Sequence, residues 1–210
     1  MFYDRREAGR LLAKKLSKYT DTDCVVCAIP RGGVVLGVEI AKYIKSPMDI
    51  VVVRKVGHPS NPEYAVCAVS REEMICNEEE MSLIDKDWLE RAVKREREEI
   101  ERREKMYLGG KRHFDVSGKV AILVDDGVAT GSTFLMAVQE LRKKDPKKIV
   151  AAIPVMPADF ENKLKEVVDE IVCLGVDKNY LGSVGAYYEN FPQVSDEEVV
   201  GLISSKNPAF

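Results

Sequence analysis

Between positions 124 and 133 the chain reads Val-Asp-Asp-Gly-Val-Ala-Thr-Gly-Ser-Thr, and several of these residue types have a chemical use of their own. Asp125 and Asp126 are adjacent carboxylates that follow the apolar run Val120–Val124. A strand there would place them at the carboxyl edge of a sheet, where open α/β folds bind ligands. A helix should begin near Ser132, and the free N–H groups at a helix N-terminus attract anions. Gly131 would let the backbone close around a phosphate, and Thr130, Ser132 and Thr133 add hydroxyl donors. Like charges repel, so the acids suit sugar hydroxyls, or a metal held between hydroxyls and a second phosphate. A plain turn followed by a helix cap explains each residue singly. It leaves two mutually repelling acids at a strand end without a task.

A glycine pair stands in Ile29-Pro30-Arg31-Gly32-Gly33-Val34. Its glycines expose backbone N–H groups, and Arg31 offers a rigid fork of donors for phosphate. Taken alone, the segment is equally well read as a strand-to-helix turn with a surface arginine. A third segment runs from Arg54 to Tyr64 and holds Lys55, Gly57, His58, Pro59 and Pro62. Its basic start, its glycine and its prolines suit a hinged cationic loop, although Arg54 and Lys55 would look the same in an ordinary solvated connection. His58 has no partner that spacing can identify. No Gly-Lys-Ser/Thr phosphate loop and no G-x-G-x-x-G dinucleotide fingerprint is present.

These segments need a scaffold. Asp4 and Glu7 have the form of a capping box, and Ala8, Leu11, Leu12 and Leu16 follow at helical spacing. A short apolar strand ends at Ile29, Val34 to Ile44 reads as a helix, and Asp49 to Arg54 as a strand. Residues 56–63 read as a loop. Ala65–Val69 and Met74–Cys76 read as short strands around a turn at Ser70–Glu73. Asp85–Tyr107 is a long charged helix whose charges suit a solvated face with i,i+4 ion pairs. Lys119–Val124, Lys148–Pro154 and Glu170–Leu174 are strands. Helices are expected over Ser132–Lys143 and Asp159–Val168, with a last helix capped at Ser195. The alternation predicts a doubly wound, mostly parallel sheet with helices on both faces.

The bulk composition narrows the classes. The chain has 210 residues, 45% of them apolar and 32% charged, with a net charge of −3, which suits one globular domain. A mildly acidic chain has no global field for nucleic acid or an anionic membrane. No apolar run is long enough to span a bilayer, and the early residues lack a signal-peptide core, so a cytoplasmic location is expected. The five cysteines are odd in number and scattered, so no disulfide framework is expected. Cys24 and Cys27 form a C-x-x-C inside an apolar run and read as buried strand residues rather than a redox pair or zinc ligands.

The segment from Val120 to Thr133 resembles the signature of type I phosphoribosyltransferases, which bind 5-phosphoribosyl-1-pyrophosphate (PRPP). That resemblance implies that Asp125 and Asp126 contact the ribose diol, while Ala129, Thr130, Gly131, Ser132 and Thr133 cradle the 5′-phosphate. It places the family's pyrophosphate loop at Arg31, Gly32 and Gly33, often with a non-proline cis peptide. It makes the segment after Arg54 a mobile loop with Lys55 near the leaving group. It further implies one domain with a core of about 1–174 and a hood of about 175–210 that shapes the acceptor pocket. Tyr180, Tyr187, Tyr188 and Phe191 of the hood could stack on a base, although packing is the better reading for at least two of the last three. Hypoxanthine-guanine enzymes carry an acid where this chain has Ala129, so the Ala-Thr-Gly form is more similar to adenine and uracil enzymes. The expected activity is magnesium-dependent transfer of a phosphoribosyl group to a nucleobase or other nitrogen nucleophile. Asp125 and Asp126 would meet the metal indirectly, through PRPP and water. A homodimer is a further expectation. The alternative on the same fold is a non-catalytic nucleotide sensor, for which no DNA-binding module or basic face is visible.

Overall fold

The side chain of Asp4 accepts a hydrogen bond from the Glu7 amide and so starts helix α1, Arg5–Lys15. Capping of this kind satisfies an otherwise orphan N–H. A computed structural model of the chain describes residues 1–77, 79, 84–110 and 113–204, with Pro62 and Glu63 described in backbone only. The expected hood residues 205–210 lie outside the described residues.

Five parallel strands form the central sheet: β1 (Cys24–Ala28), β2 (Met48–Ile50), β6 (Val120–Val124), β7 (Lys148–Pro157) and β8 (Glu170–Asp177), in the order β2-β1-β6-β7-β8. All five residues of β1 are buried, as a strand covered on both faces requires. Alternate side chains serve opposite layers. Val26, Ile122 and Val150 pack with α1, α2 (Gly32–Ile44), α3 (Lys86–Leu108) and α6 (Asp196–Ser204). Val25, Leu123 and Ala151 pack with Phe134 of α4 (Ser132–Arg142) and Phe160 of α5 (Ala158–Lys165). The expected doubly wound fold is therefore present. Among the described residues, no helix is long and apolar enough to cross a membrane.

Strand order fixes where a ligand can sit. The chain leaves β1 through α2 toward β2 on one side, and leaves β6 through α4 toward β7 on the other. The crevice between the carboxyl ends of β1 and β6 is therefore the topological switch point. Pro30–Gly33 and Asp125–Thr133 are the two segments that open into it.

Residues 56–63 differ from their expected loop. Arg54–His58 is strand β3 and pairs antiparallel with β4, Asn61–Val69, which pairs in turn with β5, Met74–Cys76. Val56, Val66, Cys67 and Val69 are buried in the layer that holds α3, and Ala68 faces the layer of α4. That burial outweighs the turn-forming residues. The ladder shifts register on either side of Gly57, and only Pro59 and Ser60 remain as the turn. The expected strand Asp49–Arg54 is divided, with Val51–Val53 buried between β2 and β3 but in neither.

The cysteine reading also needs correction. Cys67 and Cys76 face each other across β4 and β5 and form a disulfide. The pairing arises from hairpin register, which spacing alone did not disclose. Cys24 and Cys27 are free and buried, as the sequence indicates, and burial pushes the Cys27 thiol well up.

Helix α3 begins at Asp85, whose side chain accepts from the Trp88 amide at 2.8 Å, and ends at Gly109 in the left-handed region. Leu89, Val93 and Ile100 form its buried stripe, while Arg102 and Arg103 pair with Glu99 on its polar side.

Candidate active site

The two loops at the switch point touch. A Cβ built on Gly33 would lie 2.7 Å from the Val124 carbonyl oxygen and 3.1 Å from the Asp125 Cα. One built on Gly32 would lie 1.9 Å from an Asp126 carboxylate oxygen. Only glycine allows so close an approach. The Pro30–Arg31 peptide is cis, as the resemblance implied.

Asp125 and Asp126 sit deep at the end of β6, each with a little open surface. Asp125 Oδ1 accepts the Asp126 amide at 2.8 Å. Burial, and then the neighbouring Asp126 charge, hold the Asp125 carboxyl well above the usual range, against the opposing pull of Lys55 and Arg5. Burial also raises Asp126, although Arg5 opposes it. Two buried carboxylates that repel each other are a pair that a cation or hydroxyl donors would stabilise. Among the described residues, no cluster of three or more metal-ligating side chains occurs. Two carboxylates alone would need further oxygen ligands from elsewhere to complete a magnesium site.

Arg5 is the residue that sequence reasoning missed. Its Nε donates to Asp126 Oδ2 at 2.7 Å and its Nη1 donates to the Pro192 carbonyl oxygen at 2.7 Å. Its guanidinium lies 3.6 Å over the Phe191 ring. Tyr188 supports the same acid from the backbone side, donating its hydroxyl to the Asp126 carbonyl oxygen at 2.6 Å. Neither contact leaves a local signal, because the partners are 121 and 62 positions apart.

The expected phosphate loop ends at Gly131, with φ of +84° and no side-chain cap on α4. Ala129 and Thr130 are exposed, and Thr130 and Ser132 hydroxyls are 3.5 Å apart. Ser132 and Thr133 are half-buried at the helix start. This is an uncapped helix N-terminus beside the acid pair, with the dipole and amides an anion needs.

Arg31, Gly32 and Arg5 line a cavity of about 340 Å³ with Phe191, Gln193 and Val194. The Arg31 guanidinium is not free: its Nη1 is 3.7 Å from Asp196 Oδ1 on α6. Lys55 is exposed on β3, and its charge acts on Asp125. His58 lies at the turn of the ribbon, its Nδ1 accepting the Ser60 amide at 3.1 Å.

All four of the hood aromatics Tyr180, Tyr187, Tyr188 and Phe191 have packing partners. Tyr187 donates to Asp177 at 2.7 Å and accepts the Leu181 amide. Tyr188 stacks on Phe191 with centroids 4.8 Å apart. Tyr180 stacks on Tyr187, yet its hydroxyl is buried with no hydrogen-bond partner among the described residues. Burial raises its pKa to about 12.

Comparison with known proteins agrees with this geometry. The family model for the phosphoribosyl transferase domain matches residues 3–189. Two Mycobacterium tuberculosis proteins, each named "Putative phosphoribosyl transferase" (Rv0571c in strain H37Rv and MT0597 in strain CDC 1551), are 34% identical over 213 residues. The match covers all of this chain but 48% of those proteins, so the chain spans about half the length of the curated relatives it matches. The crystal structure of TT1426 from Thermus thermophilus superimposes with a TM-score of 0.80 at 36% identity, covering 97% of this chain and 98% of that one. A family match over most of the length, on a fold whose two loops meet at the switch point, establishes that the chain belongs to the phosphoribosyl transferase family.

Proposed function

We propose that the chain binds PRPP with magnesium and transfers its 5-phosphoribosyl group to a nitrogen nucleophile such as a nucleobase, releasing pyrophosphate. One observation carries this reading: the acid pair and the Gly32–Gly33 loop touch at the crevice between β1 and β6, beside the uncapped N-terminus of α4. PRPP has two phosphate ends and needs an anion site on each side of its sugar. The amides and hydroxyls from Ala129 to Thr133 would hold the 5′-phosphate. The Gly32 and Gly33 amides with Arg31 would hold the pyrophosphate, the guanidinium exchanging Asp196 for a phosphate.

In the reaction the bond from the anomeric carbon to the pyrophosphate oxygen breaks, and a bond from that carbon to the acceptor nitrogen forms. The bonding pair leaves with pyrophosphate, and the acceptor gives up a proton. Asp125 and Asp126 would hold the ribose hydroxyls so that attack and departure stay in line. Arg31 and Lys55 would stabilise the departing charge. Bound magnesium, held by the acid pair through substrate oxygens, would supply charge neutralisation at the pyrophosphate. No covalent enzyme intermediate is needed.

Calorimetry with PRPP, with and without excess chelator, followed by pyrophosphate release from a panel of nucleobases, tests this reading. Binding that depends on magnesium, and that is lost in Asp125→Asn/Asp126→Asn while the fold is kept, is the expected result. PRPP binding that is indifferent to the double substitution would refute it.

A further inference from the structure

We infer that Arg5 is a positioning residue for the acid pair, fixing the Asp126 carboxylate against the pyrophosphate loop and the hood so that it is presented to the ribose in a single orientation. This inference rests on the proposed PRPP reading and goes beyond it, since Arg5 lies in α1, outside both loops. The Arg5 side chain is 10% exposed and meets three parts of the molecule at once. Its Nε takes Asp126 Oδ2, and the same carboxyl also interacts with its own backbone amide and with Asp125. Its Nη1 takes the Pro192 carbonyl oxygen, and its plane stacks on Phe191. A Cβ added at Gly32 would meet both Asp126 and the Arg5 Nε, at 1.9 and 3.0 Å. The guanidinium therefore fills the corner where the acid pair, the pyrophosphate loop and the hood converge.

The geometry sets the role. A planar fork with two donors engaged and one face stacked has little rotational freedom. A carboxylate bonded through one oxygen to such a fork keeps a single orientation. A carboxylate with no fixed partner would sample several, and only a fraction would suit the ribose diol. Arg5 acts through Asp126, so its effect should follow ligands that carry a ribose and spare those that do not.

That separation is the test. Arg5→Met and Arg5→Lys are titrated with PRPP, a nucleoside monophosphate and inorganic pyrophosphate, with melting curves to confirm folding. Arg6→Met, which removes a neighbouring cation paired with Glu39, is the control for charge. In Arg5→Met the affinities for PRPP and the monophosphate should each fall about ten- to a hundredfold, the range for one charge-assisted hydrogen bond, with pyrophosphate affinity unchanged. Arg5→Lys keeps the charge without the fork and should recover little of the loss. Arg6→Met should bind all three ligands as the wild type does.

An equal loss for all three ligands in Arg5→Met would overturn the role, since it signals a collapsed site or a direct anion contact. So would no loss at all, or a loss of the same size in Arg6→Met. If Arg5→Met fails to fold, Arg5→Lys decides: a deficit confined to the ribose ligands supports the role, and a deficit for pyrophosphate overturns it. A wild-type protein that binds none of the three ligands would instead overturn the parent reading, and this one with it.

Discussion

A Cβ added at Gly131 would lie 1.9 Å from the Phe160 ring, at a backbone φ of +84° that side chains rarely adopt. Gly131→Ala should therefore cost about 1–2 kcal/mol for the left-handed backbone alone, and more for the overlap with Phe160, as read by urea unfolding. A larger residue there would disturb the layer between α4 and α5 as well as the loop. Thr133→Val, which removes only a half-buried hydroxyl, is the cleaner probe of phosphate binding. His113 has another kind of constraint. Its Nδ1 lies 2.9 Å from the buried Asp49 carboxylate, with Glu104 and Lys144 also acting on it. The hydrogen bond to Asp49 raises the His113 pKa above 6.5, more than burial lowers it. A raised pKa means that the folded state holds the proton more tightly than the unfolded chain does. The stabilisation is then complete below pH 6.5 and is lost as pH rises through the raised value. The melting temperature should fall across that window, and His113→Gln should flatten the fall.

Helix α6 is tied down through its first residue. Asp196 accepts the Tyr107 hydroxyl at 2.5 Å and Arg102 at 3.2 Å, both from α3, and lies 3.7 Å from Arg31. Asp196→Ala should destabilise the fold by about 1–3 kcal/mol, the range for hydrogen bonds to a charged group, in denaturant titration. Under the proposed reading PRPP affinity should not fall in that variant, because Asp196 competes for Arg31. The sequence disclosed this helix through Ser195, whose hydroxyl does accept the Glu198 amide. The ribbon β3–β4 was hidden by its own residues. Gly57, Pro59 and Pro62 carry turn propensity, and the burial of Val56 and Val66 beneath α3 is visible only in three dimensions. The disulfide was hidden for the same reason, since hairpin register brings Cys67 to Cys76.

At the scale of the whole molecule, ligand and fold stability are linked. A ligand that binds only the folded state stabilises it by about 2.7 kcal/mol at a hundred times its dissociation constant. PRPP with magnesium should raise the melting temperature in a scanning experiment, and chelator should remove most of that rise. The doubly wound sheet was legible because strands such as Cys24–Ala28 and Val120–Val124 are unbroken apolar runs, which suits burial on both faces. The candidate site was legible to the extent that it is local. Asp125, Asp126, Gly131, Gly32 and Gly33 lie in two short segments, and each segment follows a core strand. Arg5 and Tyr188 were not legible, because the contacts that give them meaning join the first helix and the hood to the end of β6.

That junction also makes the start of the chain part of the crevice wall. Phe2 forms a parallel bridge with Tyr188, its amide donating to the Tyr187 carbonyl oxygen, and the Asn190 amide donates to the Tyr3 carbonyl oxygen. Met1 itself is 85% exposed. Trimming as few as five residues from the same end would take away Arg5 and the backbone bridge to Tyr188, although every loop residue expected to touch PRPP would still be present.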